Sequence, residues 1–194
     1  MKKRIAIFAS GGGTNAEKFF EYFKNSKDIE ICILLSNNSK AYALERARNH
    51  NIPTKVFSRQ EFQKTNEVLE IIESKRIDYI VLAGFLWLVP SNMIKAFPDR
   101  IMNIHPALLP KYGGKGMFGM NVHEAVKRNN EAQSGITIHL VNEVYDEGRI
   151  LFQKAVELSE KDTPNDIANR IHQLEHRYFP ELVENYVMGN LLKG

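Results

Sequence analysis

Apolar and polar residues recur along this chain in two rhythms, and the rhythm switches at regular intervals. RIAIFA, residues 4–9, is a short apolar run that reads as a strand and ends at three consecutive glycines. Residues 15–25 then set Phe19, Phe20 and Phe23 on one side of a helix. IEICILL, residues 29–35, is a second apolar strand. SNNSKAYALERARNHN reads as a loop followed by a helix, with Asn38 or Ser39 available to cap it and Asn51 and Pro53 to close it. PTKVF is a short third strand, and EFQKTNEVLEIIESKR reads as one helix with Val68, Ile71 and Ile72 facing inward. IDYIVLAG is a fourth strand, apolar almost throughout, as a strand must be when both faces of its sheet are covered.

Strands alternating with helices in this way predict a parallel sheet with helices on both faces. The second half has a different pattern. RIMNIH is a fifth strand, LLPKYGGKGMFGMN is a glycine-rich loop, and SGITIHLVN and GRILFQKAVEL read as an antiparallel pair joined through EVYDE. A long amphipathic helix, roughly residues 164–187, closes the pattern, opened by the cap and first-turn pair Thr163-Pro164. The expected fold is α/β and Rossmann-like: a mostly parallel twisted sheet, helices on both faces, and an antiparallel C-terminal strand pair. One domain over residues 1–194 is expected, with halves 1–100 and 101–194, since no repeat, low-complexity tract or linker interrupts the pattern.

Composition narrows the function class. Apolar residues make up 43% and charged residues 25%, ordinary values for a soluble globular protein. The net charge is +3 and no stretch concentrates Lys and Arg, so nucleic acid is not an expected partner. No run approaches the roughly 18 apolar residues of a membrane span. The apolar run after the basic N-terminus is only about five residues, too short for a signal peptide. The single cysteine, Cys32, lies inside an apolar run and is expected to be a buried hydrophobe. A cytoplasmic protein acting on small molecules is the reading, with monomer and homodimer both open.

Two clusters carry candidate chemistry. The first is SGGGTN, residues 10–15, between the first strand and the first helix. Glycines let ligand atoms approach the backbone, and the following helix offers unpaired N–H groups and the positive end of its dipole, a phosphate site. Ala16 stands where a dinucleotide motif has its third glycine, LLSNN ends the second strand without an acid, and no Lys-Ser/Thr follows as in a Walker loop. A sugar phosphate fits better than NAD, with a plain tight turn as the other reading. The second cluster is Asn103 and His105, which project to one side of the fifth strand near its C-terminal end, where open α/β sheets bind ligands. An amide and an imidazole in one crevice suit acyl transfer to an amine. Asp146, in the turn between the last two strands, would raise the His105 pKa above its usual 6.5 or so if it lies alongside. A simple turn explains that aspartate equally well.

Taken in order, SGGGTN, SNNSKAYALERA, VLAGFLWLVP, NIHPALLPKY, GITIHLVNEVYDEGRIL and TPNDIANRIHQLEHRYFP resemble the folate-dependent formyltransferases, in particular the phosphoribosylglycinamide branch, from residue 4 to about 187. The resemblance implies a formyltransferase fold and transfer of a formyl group from 10-formyltetrahydrofolate to the amine of glycinamide ribonucleotide, in purine synthesis, with no metal. It implies that residues 1–100 form the phosphate-binding half and 101–194 the catalytic and folate-binding half. By the same resemblance Gly12, Gly13, Thr14 and Asn15 hold the substrate phosphate and Glu175 its ribose. Asn103, His105 and Asp146 form the catalytic trio. Leu86, Trp87, Leu88, Val89 and Val141, together with Asn103 and Asp146, line the folate pocket, with Arg59 near the folate tail. The connection after NIHPALLPKY is a few residues longer than usual in the family, His123 within it is left outside the expected site, and Trp87 replaces a smaller or basic side chain.

Other readings leave their own marks. HQLEH, residues 172–176, matches a zinc-protease pattern, but no third ligand is evident and the helix has enough apolar positions to be a packing element. A non-catalytic sugar-phosphate module would keep the glycine cradle and have no use for Asn103, His105 and Asp146. A sugar-amine formyltransferase or a formyltetrahydrofolate hydrolase is the nearest alternative. The hydrolase and the methionyl-tRNA enzyme are expected to carry an additional domain.

Overall fold

The computed structural model describes residues 1–190. Seven strands form one sheet: β1 (Lys3–Phe8), β2 (Ile29–Ser36), β3 (Thr54–Val56), β4 (Tyr79–Leu82), β5 (Ile101–His105), β6 (Gln133–Leu140) and β7 (Ile150–Glu157). Their order is β3-β2-β1-β4-β5-β6-β7. The first five run parallel, and β6 and β7 each pair antiparallel with the preceding strand. The expected mixed sheet is therefore present. Strand order reverses between β1 and β4, and this is where such a sheet opens a crevice at its carboxyl edge.

Period-two alternation sorts the strands' side chains into two cores. Ile5 and Ile7 of β1 pack on one face of the sheet with Phe19, Phe23 and Phe179, while Ala6 and Phe8 pack on the other with Phe57, Phe62 and Ile72. The first core is covered by α1 (Thr14–Phe23), α2 (Tyr42–Asn49), α6 (Met120–Arg128) and α7 (Pro164–Val187). The second is covered by α3 (Arg59–Gln63), α4 (Glu67–Ser74) and α5 (Ser91–Ala96). Cys32 is buried in the second core, and the Thr163 side chain caps α7 by accepting from the Asp166 N–H, as its sequence predicts.

Three local expectations are corrected. The helix expected across residues 61–76 is two helices, broken where Thr65 Oγ bonds back to the Glu61 carbonyl and Asn66 starts α4. The N-cap of α2 is Ala41, not Asn38 or Ser39, and it makes no side-chain cap bond. Asn38 is engaged elsewhere: its amide donates to the Ser10 carbonyl, tying the end of β2 to the end of β1. The short helices α5 and α6 had no counterpart in the sequence reading.

Candidate active site

One cavity of about 600 Å³ opens at the carboxyl edge of the sheet, where β1, β4 and β5 end. The glycine turn after β1 lines part of it. Gly13 is the N-cap of α1 at φ 72°, a left-handed conformation that glycine takes without strain, and no side chain caps the helix. The Ala43 N–H donates to the Gly11 carbonyl at 3.1 Å, and Arg46 Nε donates to the Gly12 carbonyl at 2.9 Å. A trans peptide carries its N–H opposite its C=O, so these two bonds turn the Gly12 and Gly13 N–H groups away from α2. The first-turn amides of α1 add to them, and the helix dipole favours an anion there.

Asn15 and Glu175 form the floor beside this turn. Both are buried, and Asn15 Nδ2 donates to Glu175 Oε2 at 2.9 Å. Asn15 Oδ1 has no partner among the described residues. Burial raises the Glu175 pKa to about 7, against the pull of the Asn15 hydrogen bond. The sign of the linkage follows from that shift. Between its ordinary value of 4.5 and about 7 the folded chain holds a proton that the unfolded chain has released, so this group lowers stability as pH rises through that window. Glu175→Gln keeps the shape and the acceptor but not the charge. It should be more stable than the parent at pH 8 by up to about 3 kcal/mol, with the gap closing towards pH 4.5. Thermal unfolding of the ligand-free pair at pH 5 and pH 8 checks this, and an equal gap at both would show that Glu175 does not titrate in the window.

β5 delivers Asn103 and His105 to the cavity, and the turn after β6 delivers Asp146. His105 is buried, and its Nε2–H donates to the Tyr112 carbonyl at 2.7 Å. A carbonyl can only accept, so Nε2 carries the hydrogen and Nδ1 faces Asp146 Oδ2 at 3.5 Å. The expected rise in the His105 pKa is not found. Burial, the largest influence, lowers it below 6.5, and the Asp146 charge offsets only part of that. The resting imidazole is neutral at pH 7. Burial works to raise the Asp146 pKa, yet it stays below the usual carboxylate value, with the Gly114 N–H donated to Oδ2 among the contacts that hold it down. Asp146 is thus an anion beside a neutral imidazole, at φ 57°, a conformation for which Asp and Asn are enriched.

His139 escaped the sequence reading. It lies directly opposite Asn103 in the β5–β6 register, is buried, and has Nε2 3.1 Å from Asn103 Nδ2 and 3.5 Å from Asp146 Oδ1. Its Nδ1–H donates to the Leu140 carbonyl at 2.8 Å, which leaves Nε2 to accept from the Asn103 amide. The Asn103 amide is thereby held with one N–H on His139. A histidine between Ile138 and Leu140 in a strand that is buried almost throughout was the available signal. His123 and His172 also line the cavity. Burial drives the His123 pKa down to about 4, and its Nδ1 has no partner among the described residues.

An apolar strip also lines the cavity. Leu86, Trp87, Leu88 and Val89 line it after β4, and Val141 faces them. The strip is fixed by the Leu86 N–H on Ser10 Oγ at 3.0 Å and by Gln63 Nε2 on the Leu88 carbonyl at 2.7 Å. Thus Gly12, Gly13, Thr14, Asn15, Glu175, Asn103, His105, Asp146, Val141 and the 86–89 strip all line one cavity. Arg59 does not. It occupies the first turn of α3 with its guanidinium 5.8 Å from the centroid of the Trp87 ring, and it meets the cavity only through that ring. Of the two histidines of the HQLEH stretch, only His172 lines the cavity. The His172 and His176 rings stack at 6.2 Å, and among the described residues no three His, Cys, Asp or Glu side chains converge as a metal-binding group.

Comparison with known proteins gives a consistent picture. The formyl transferase family model matches residues 3–183. A chloroplastic phosphoribosylglycinamide formyltransferase of Arabidopsis thaliana is 40% identical over 188 residues, covering 94% of this chain and 64% of the plant protein. The chain therefore spans less than two thirds of that relative's length. A Bacillus subtilis phosphoribosylglycinamide formyltransferase is 33% identical over 187 residues, covering 94% of this chain and 93% of the relative. The crystal structure of a Bacillus halodurans phosphoribosylglycinamide formyltransferase superposes with a TM-score of 0.86 at 35% identity, covering 95% of each chain.

Proposed function

The chain belongs to the formyl transferase family, and from that premise we propose that it moves the formyl group of 10-formyltetrahydrofolate onto the amine of glycinamide ribonucleotide, a step of purine synthesis. One observation carries the reading: an anion cradle, an amide–imidazole–carboxylate cluster and an apolar strip open into a single cavity. The phosphate of the acceptor lies on the Gly12, Gly13, Thr14 and Asn15 turn. Its ribose hydroxyls donate to Glu175 and meet the unpaired Asn15 Oδ1. The pteridine of the donor lies along Leu86–Val89 and Val141. About 600 Å³ is a volume that suits such ligands, within the usual range for small-molecule sites.

The chemistry then follows from the hydrogen positions. The acceptor amine attacks the formyl carbon, so a C–N bond forms, the carbonyl oxygen becomes negative and the amine nitrogen positive. The Asn103 N–H not held by His139 donates to that oxygen. The excess proton on nitrogen passes to His105 Nδ1, and Asp146 stabilises the imidazolium that results. As the bond to the donor nitrogen breaks, His105 returns the proton to that nitrogen. Formylglycinamide ribonucleotide and tetrahydrofolate leave, and the protein is back in its starting protonation state.

The test is a formyl-transfer assay with purified protein, 10-formyltetrahydrofolate and glycinamide ribonucleotide. Product is expected only with both present. Loss of formate from the donor without acceptor would instead mark a hydrolase, and transfer to an amino sugar but not to glycinamide ribonucleotide would mark a different acceptor.

A further inference from the structure

The cavity has few fixed charges to set against the phosphate dianion that the proposed function brings into it. Among the described residues lining it, the acids are Asp146 and Glu175, and the only Lys or Arg is Lys115. Its histidines are poor substitutes. Burial holds His105, His123 and His172 below the usual imidazole range, and both ring nitrogens of His139 are engaged with Leu140 and Asn103. The nearest arginines are committed elsewhere. Arg46 pairs with Glu17 at 3.1 Å while bonding the Gly12 carbonyl from the α2 side, and Arg59 lies over Trp87, off the cavity wall.

Lys115 is placed by the backbone around it. The Met117 N–H donates to the Gly114 carbonyl at 3.1 Å, closing a turn with Lys115 and Gly116 at its centre. Gly116 has φ 89°, the positive value a type II turn needs at its third position, and Gly114 has φ 92°. A β-carbon on either glycine would meet nothing within 4 Å, so backbone conformation and not space calls for glycine there. The turn is tied down on both sides, by the Gly114 N–H on Asp146 Oδ2 at 2.9 Å and by Asn121 Nδ2 on the Gly116 carbonyl at 3.0 Å. Lys115 itself is exposed at the cavity and has no hydrogen-bond or ion-pair partner among the described residues. An unpaired ammonium held on an anchored turn in the same cavity as the glycine turn raises the local concentration of anions and contributes a charge-assisted bond to one that binds.

We propose that Lys115 is the counter-charge for the phosphate of the acceptor substrate, and so the residue that makes this chain prefer a phosphorylated acceptor to its dephosphorylated form. The inference rests on the proposed function for the identity of that acceptor. Arg59 lies over Trp87 beside the donor's apolar strip, whereas none of the cradle residues Gly12, Gly13, Thr14 and Asn15 carries a cation, so the phosphate and not the donor's carboxylates is assigned to Lys115.

Lys115→Met should raise the KM for glycinamide ribonucleotide by about 10- to 100-fold, the value of one charge-assisted bond, with the loss falling on KM and not on kcat. The KM for 10-formyltetrahydrofolate should stay put, and Lys115→Arg should recover most of the acceptor affinity. An unchanged acceptor KM, or a rise that falls on the donor instead, overturns the proposal. A second arm needs no turnover: protection against thermal unfolding by ribose 5-phosphate, with ribose as the control. Protection should depend on the phosphate and weaken in Lys115→Met. If the parent transfers no formyl group yet shows this Lys115-dependent protection, the proposed function fails and the role of Lys115 as an anion residue stands. If transfer is normal and Lys115→Met changes neither KM nor protection, Lys115 fails and the proposed function stands.

Discussion

Asp146→Asn should lower kcat for formyl transfer by about 10²–10⁴-fold while leaving the fold in place. The backbone at residue 146 sits at φ 57°, which Asn adopts as readily as Asp, and the Asn Oδ1 can still accept the Gly114 N–H. What changes is the electrostatics around His105. The carboxylate is the side chain that pulls the buried imidazole back towards protonation, and Asn removes it. An amide N–H turned towards Nδ1 would in addition occupy the lone pair that takes the amine's proton. Two measurements on the purified variant check this: steady-state turnover, and the His105 titration by NMR, whose midpoint should drop further below 6.5 than in the parent. Turnover within tenfold of the parent would remove Asp146 from the chemistry.

Gly13→Ala is expected to be the most damaging change in the proposed phosphate cradle. A β-carbon there would lie 2.5 Å from Ala43 Cβ and 2.7 Å from Ala43 Cα, and φ is 72°. The obstacle includes backbone, which cannot rotate away as a long side chain can. Left-handed strain and forced displacement together amount to about 2–5 kcal/mol. For a chain of this size that is a fall in Tm of about 5–15 °C. Moving α2 away from the turn would also loosen the Ala43 and Arg46 bonds that orient the Gly12 and Gly13 amides, so affinity for the phosphorylated acceptor should fall too. Gly11→Ala is the comparison: its β-carbon would meet nothing within 4 Å and its φ is not positive, so its Tm should stay near the parent's. Equal melting of the two variants would show that conformation at Gly13 is not what the glycine run supplies.

Much of this site was legible in one dimension because it depends on local rules. Alternation along β5 puts Asn103 and His105 on one side whatever the rest of the chain does. A glycine run between strand and helix marks an anion site, and apolar runs separated by helical patterns mark a parallel sheet with its ligand edge. Most of the details that escaped depend on neighbours distant in sequence. His139 acquires its task only when β6 pairs with β5 in a register that sets it opposite Asn103. The direction of the His105 shift turns on the balance of burial against one charge, and the sequence gives the charge without the depth. The break between α3 and α4 hangs on Thr65 and Asn66, two polar residues inside a pattern that otherwise reads as continuous. Asn38, a good cap by composition, was drawn off to brace Ser10.

Trp87 is the single tryptophan of the chain, and it stands on the cavity wall in a nest of Phe57, Phe62 and Phe85 with a guanidinium on its outer side. Its indole is therefore a built-in optical probe. A folded aromatic donor arriving on that wall would change the polarity around the ring and quench or shift its emission, with no second indole to blur the signal. Donor occupancy becomes measurable by intrinsic fluorescence, in real time and without a label.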